Sequence, residues 1–150
     1  MSIWAPRLDG ARVLDLFAGS GAVGFEAMSR GAESAIFVER DRSVFSELQK
    51  ACARLAVQRA TVVEADLPSE LAKVEKAATQ EFTLIFADPP YGFTAYVELL
   101  ESVAALLEAD GELAVEHAPS AELPEQVGDL EKRNQRCYGD SGLSFYRHRG

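Results

Sequence analysis

Asp88, Pro89, Pro90 and Tyr91 directly follow the apolar run Phe82-Thr-Leu-Ile-Phe-Ala87, and they are the residues of this sequence best suited to chemistry. A carboxylate and a neighbouring backbone carbonyl, stiffened by two prolines, present two hydrogen-bond acceptors that are in place before any ligand arrives. An exocyclic amine on a nucleic-acid base is a poor nucleophile because its lone pair is delocalised into the ring. Two acceptors that take its hydrogens hold the nitrogen out of conjugation and aim the lone pair at an electrophile. Tyr91 adds a ring on which a base taken out of its stack can rest. No metal is needed for such a step. The plainer alternative is a rigid turn, which Pro-Pro often makes.

A second group of residues points to the electrophile's carrier. In DLFAGSGAVG, residues 15 to 24, Asp15 precedes the spacing Gly19-x-Gly21-x-x-Gly24. A glycine-rich turn between a strand and a helix holds either a pyrophosphate or a smaller adenosine cofactor. Glu39 lies twenty residues beyond Gly19, where a carboxylate can accept from both hydroxyls of a ribose. NAD proteins and S-adenosylmethionine proteins share that feature. The Asp-Pro-Pro-Tyr turn separates them, because hydride transfer has no use for it and methyl transfer to an amine does. Asp66 ends a third apolar run, although an Asp before Leu-Pro also makes a good turn. Gly24 reads more simply as a close helix-to-strand contact than as a ligand contact.

These residues need elements that place them together. β-rich apolar runs alternate with helical patterns, which predicts a doubly wound α/β fold. Strands are expected at 12–17, 34–39, 60–66, 82–88 and 112–117, with helices at about 22–30, from Asp41 onward, 68–78 and 94–108. Asp41 is the expected N-cap of the second helix, with Phe45, Leu48, Cys52 and Leu55 on its buried face. Gly111 is read as closing the last helix. Segments 130–138 and 143–149, joined by Gly139-Asp-Ser-Gly142, predict a β-hairpin. The expected whole is a mostly parallel, seven-stranded sheet ending in an antiparallel hairpin. Asp15, Glu39, Asp66 and Asp88 then all fall at strand carboxyl ends, where such sheets bind ligands.

Composition bounds the alternatives. A chain of 150 residues, 47% hydrophobic, suits one domain over residues 1–150. Cys52 and Cys137 lie far apart, with no disulfide or zinc spacing. The start lacks the features of a signal peptide, and no apolar run reaches membrane-spanning length, so a cytoplasmic protein is expected. The net charge of −9 argues against broad phosphate binding, yet Lys132, Arg133, Arg136, Arg147, His148 and Arg149 crowd the C-terminal end. Arg147 and Arg149 suit phosphate contact or a plain surface strand equally well. His117 without a partner reads as structural, Cys52 as core, and Phe93 and Tyr96 as either base-pocket wall or packing.

Taken together, Asp15-Leu-Phe-Ala-Gly-Ser-Gly21, Glu39, Asp66 and Asp88-Pro-Pro-Tyr91 resemble the class I S-adenosylmethionine-dependent methyltransferases that modify amino groups of bases. More narrowly, DLFAGSGAVGFEAMSRGA resembles the RsmD family, the bacterial 16S rRNA guanine-N2 methyltransferases, and the likeness extends to Gly142-Leu-Ser-Phe-Tyr146. The resemblance implies S-adenosylmethionine as cofactor and a guanine of 16S rRNA, position 966 in the family's type reaction, as acceptor. It implies that Asp15, Gly19 and Gly21 bound the methionine part of the cofactor, Glu39 the ribose and Asp66 the adenine amine. Phe17, Ser20, Arg40, Leu67 and Asp88 complete the implied cofactor set, and Asp88, Pro89, Pro90 and Tyr91 grip the target base. The implied partner is 16S rRNA or the small ribosomal subunit, with neither membrane nor metal, and the protein is expected to be a monomer. Family members carry a basic segment ahead of the first strand, whereas here that strand begins by residue 12. The sequence is therefore read as a catalytic core whose grip on substrate comes from an upstream extension or from the ribosomal particle. Adenine N6 in DNA is the rival acceptor, and a noncatalytic nucleotide-binding module is the rival of a different class.

Overall fold

The computed structural model describes residues 2–55 and 59–150. Strands β1 (Arg12–Leu16), β2 (Ser34–Glu39), β3 (Ala60–Glu64), β4 (Phe82–Ala87) and β5 (Leu107–His117) alternate with helices α1 (Ala22–Ser29), α2 (Arg42–Arg54), α3 (Leu71–Ala77) and α4 (Tyr96–Val103). Three further strands follow, β6 (Gln126–Val127), β7 (Leu130–Tyr138) and β8 (Ser141–His148). All eight form one sheet in the order β3-β2-β1-β4-β5-β8-β7-β6. The first five run parallel, and β8 returns antiparallel against β5. The seven expected strands are present, and the two-residue β6 extends the sheet beyond β7.

Alternation along the strands divides the core into two layers. Leu14, Leu16, Ile36, Val38, Ile85 and Ala87 face α3 and α4, where Leu71, Val74, Leu99, Leu100 and Val103 cover them. Val13, Phe37, Leu84 and Phe86 face the other way, under Trp4, Ala27 and Leu48. Both faces of the parallel strands are thus apolar and covered, as parallel sheets require. Trp4, in a 3-10 turn over Ser2–Arg7, packs edge-on to Phe86 and donates its indole N–H to Glu112 at 2.7 Å.

Several boundaries differ from the sequence reading, among them the end of the third strand, at Glu64 rather than 66. The third helix is confined to Leu71–Ala77 rather than 68–78. The fourth ends at Val103, followed by a 3-10 turn over Ala104–Leu106, and β5 starts at Leu107 instead of 112. Gly111 therefore sits inside a strand at a register shift. A Cβ there would come within 2.6 Å of Leu107 Cδ1 and 2.9 Å of the Thr83 carbonyl, so it is a glycine of close approach and not a helix stop. The hairpin turn is the two residues Gly139-Asp140, and Ser141 already pairs with Tyr138. On α2, Leu48 is buried and Cys52 partly so, but Leu55, just past the helix end, is 57% exposed and does not belong to the inner face.

Candidate active site

The strand order reverses between β1 and β4, and the carboxyl ends of these strands and their neighbours frame a cleft. It encloses about 360 Å³, with Phe17, Glu39, Arg40, Asp66, Leu67 and Asp88 among its walls. Six residues of the implied cofactor set, from four different strand ends, are therefore brought to one space. Val38, Asp41, Val44, Ala65, Pro90 and Phe93 complete it.

The turn after β1 is held by backbone geometry and carboxylates. Phe17 adopts φ +56°, a left-handed conformation uncommon for an aromatic residue, and its ring meets Phe93 edge-on at 5.4 Å. Such strain persists where the surroundings enforce it, commonly at functional sites. Gly21, at φ +80°, forms the N-cap position of α1 without a side-chain cap. Gly24 packs so closely that a Cβ would lie 2.3 Å from the Phe37 ring, in accord with its reading as a packing glycine.

Asp15 does not line the cleft. It is 2% exposed beneath the turn, and its Oδ2 accepts from the Gly24 N–H at 3.1 Å. Burial pushes its carboxyl up to about 7; the Gly24 N–H opposes this, while Asp88 and Glu39 reinforce it. Glu39 joins two walls, because Oε1 accepts from the Gly19 N–H at 3.0 Å and Oε2 from the Asp41 N–H at 2.9 Å. Each oxygen retains a lone pair for a ligand hydroxyl. Asp41 caps α2 as expected, accepting from the N–H groups of Ser43 and Val44. Gly19 and Ser20 lie one step outward, in a shallow groove that shares Val44 with the cleft. Arg40 reaches toward Asp66 at 3.8 Å, with its side chain 67% exposed.

A second cleft, of about 560 Å³, opens on the other side of the Asp-Pro-Pro-Tyr turn. Asp88, Pro89, Pro90, Tyr91, Gly92, Thr94 and Tyr96 form one wall, and Glu116, His117, Ser120, Asp140 and Ser141 the other. Asp88, Pro90 and Phe93 border both clefts. Asp88 keeps contact with solvent, yet its carboxyl is pushed up to about 6, first by the walls that shed water around it and then by Glu116. Tyr91 is fully exposed at the wall of this cleft. Phe93 touches Phe17 on one side and Tyr96 on the other, at 5.4 and 5.1 Å, so both alternatives for these aromatics hold: they wall the clefts and pack on the core.

His117 is buried, with Nδ1 2.8 Å from the Ala118 carbonyl and Nε2 2.8 Å from Ser144 Oγ. A carbonyl only accepts, so the neutral ring places its proton on Nδ1 and accepts the Ser144 hydroxyl at Nε2. Both nitrogens are occupied, as the structural reading of this histidine requires. Among the described residues, no group of three or more His, Cys, Asp or Glu side chains is arranged to hold a metal ion, and no helix is long and apolar enough to cross a membrane. Glu116 had no signal in the sequence beyond its place near the end of β5, since its neighbourhood depends on which strand lies beside β4.

Sheet order, strained glycine turn and paired clefts make this a methyltransferase fold of class I. A solved structure described as "Putative methyltransferase yhhF from Escherichia coli" superposes with a TM-score of 0.83 at 28% identity, over 99% of this chain and 83% of that one. The chain belongs to the family described as Conserved hypothetical protein 95, the RsmD family, whose model matches residues 1–147. It is 40% identical over 148 residues to "Putative rRNA methyltransferase YlbH" of Bacillus subtilis, covering 97% of this chain and 80% of that protein. It is 42% identical over 112 residues to Ribosomal RNA small subunit methyltransferase D of Escherichia coli, covering 75% of this chain. The chain spans about half of that relative's length, 52%.

Proposed function

We propose that the protein transfers a methyl group from S-adenosylmethionine to the exocyclic N2 amine of a guanine in 16S rRNA, position 966 being the expected target. The observation that carries this reading is the place of Asp88 on the shared rim of two clefts, one suited to a cofactor and one to a base.

The residues of the first cleft fit the cofactor. Glu39 and Asp88 stand at the cleft walls and lie close enough to Asp15 to push its carboxyl up, so the carboxylates around the glycine turn set a negative field. Arg40 is the one basic side chain among the cleft's described walls, and it points outward to Asp66. A pyrophosphate would meet carboxylates there, whereas a sulfonium and an amino group would meet a favourable field. Glu39 would hold the ribose hydroxyls, Asp66 the adenine amine, and Phe17, Val44 and Leu67 the apolar faces. The cofactor, when bound, supplies an electrophilic methyl carbon.

This chain's residues do the rest. The Asp88 carboxylate and the Pro89 carbonyl would accept the two hydrogens of the amine, freeing its lone pair to attack in line. Tyr91, free to swing over the second cleft, would stack on the flipped base. As the N–C bond forms, the methyl's bond to sulfur would break and S-adenosylhomocysteine leave; the amine nitrogen must then shed a proton, and Asp88, held near 6, is placed to take it.

Calorimetric titration with S-adenosylmethionine, S-adenosylhomocysteine and NAD tests the first cleft; selective binding of NAD would overturn the reading. Tritium-labelled methyl transfer to rRNA and to DNA, with the wild type and Asp88→Ala, tests the second. Transfer to rRNA that disappears in the variant, with cofactor binding largely intact, is the expected result. Loss of cofactor binding in that variant would mean that Asp88 has another role.

A further inference from the structure

Asp88 and the Pro89 carbonyl are indifferent to which base offers an amine, since adenine N6 and guanine N2 each carry two hydrogens. What differs is the neighbouring ring atom. Beside its amine, guanine presents N1–H, a donor; adenine presents a bare N1, an acceptor. A site that distinguishes them needs a group next to Asp88 that accepts and cannot donate.

The sheet puts one there. β4 and β5 run parallel with Ala87 opposite Val115, so Asp88, the first residue past β4, and Glu116, still within β5, stand side by side at the same level. Both line the second cleft. Glu116 is partly buried, and its charge is felt at Asp88. The other polar groups of the cleft are poorer readers. His117 spends both nitrogens on Ala118 and Ser144. Ser120, Ser141, Thr94, Tyr91 and Tyr96 carry hydroxyls, which donate or accept as required. Asp140 is exposed at the tip of the β7–β8 hairpin. No Lys or Arg appears among the described walls.

We propose that Glu116 is the residue that selects guanine: its carboxylate accepts the N1–H of the base whose N2 amine is held by Asp88. Two adjacent carboxylates thereby match a donor–donor edge, and an adenine would set its N1 lone pair against the Glu116 oxygens. This rests on the proposed guanine-N2 reading and adds the source of its selectivity. A hydrogen bond to a charged acceptor discriminates strongly where the analogue leaves that acceptor facing a lone pair.

The experiment uses the full chain and unmodified 16S rRNA reconstituted into small subunits, with the methylated base located by mass spectrometry. The located position is then made guanine or 1-methylguanine, which lacks the N1 proton. For the wild type, 1-methylguanine is expected to lower kcat/KM by on the order of a hundredfold. In Glu116→Ala, the penalty for the added methyl is expected to shrink to about threefold or less, because the acceptor is gone and the methyl occupies its space. Glu116→Gln, whose amide oxygen still accepts, is expected to fall between. Binding of S-adenosylhomocysteine, unchanged in both variants, reports that the fold and first cleft are intact; if the alanine variant loses it, the glutamine variant decides. An equal 1-methylguanine penalty in wild type and variants would overturn the role of Glu116 while leaving guanine transfer standing. Transfer by the wild type to adenine, or to no base, would instead bring down the guanine reading itself, and this inference with it.

Discussion

Asp15→Asn isolates the cost of keeping a carboxylate under the glycine turn. The group is 2% exposed and rises from an ordinary 3.8 to about 7, mainly through burial. Between those values the folded state binds more protons than the unfolded one, so stability is greatest below the lower value and falls as pH climbs toward 7. At ~1.4 kcal/mol per pH unit, the full penalty above pH 7 is on the order of 4 kcal/mol. Integrated over the measurable range, about 2–3 kcal/mol of that is lost between pH 5 and pH 8. Asparagine cannot ionise. Its amide oxygen still accepts from the Gly24 N–H, although its buried donors cost roughly 1–3 kcal/mol at every pH. The two changes separate cleanly, because the second shifts the stability curve and the first alters its slope. Urea unfolding of ligand-free protein at pH 5, 6, 7 and 8 is the assay. The wild type should lose about 2–3 kcal/mol more than Asp15→Asn over that range. Other titrating groups are common to both chains and cancel in the comparison. Parallel pH profiles, within about 0.5 kcal/mol, would show that the folded protein does not hold this carboxyl protonated.

Asp88, pushed up to about 6, must be ionised to accept the amine hydrogens, so single-turnover methyl transfer should rise about tenfold per pH unit below that value and level off above it. In Asp88→Asn, the residual rate should show no such rise. Glu39→Ala removes the shared acceptor of Gly19 and Asp41 as well as the proposed ribose ligand; S-adenosylhomocysteine affinity by calorimetry should fall by roughly tenfold or more with the circular dichroism unchanged. Gly24→Ala puts a methyl 2.3 Å from the Phe37 ring, which Phe25 already contacts at a 4.7 Å centroid spacing. Denaturant unfolding should register a loss of about 1–3 kcal/mol, and an unchanged midpoint would mean that α1 shifts freely over β2.

The order of elements and the identities of Asp15, Glu39, Asp66 and Asp88 were legible in the sequence because they depend on local pattern. Buried parallel strands read as continuous apolar runs, Asp41 shows its cap by type and place, and strand carboxyl ends follow from strand boundaries. The boundaries that failed lie where tertiary contact overrides local signal. Gly111 resembles a helix stop until Leu107 and the Thr83 carbonyl are seen to crowd it, and Leu55 shares a helical spacing with Leu48 yet falls past the end of α2. The family resemblance sets Asp15 at the methionine part of the cofactor; the fold adds that its carboxyl lies buried beneath the turn, accepting from the Gly24 N–H. Glu116 belongs wholly to the tertiary structure. Twenty-eight residues separate it from Asp88 in the chain, and only the parallel pairing of β4 with β5 brings the two carboxylates to one cleft. Local sequence determines which groups stand at the ends of strands; strand order decides which of them share a space, and that order is fixed by packing across the whole sheet.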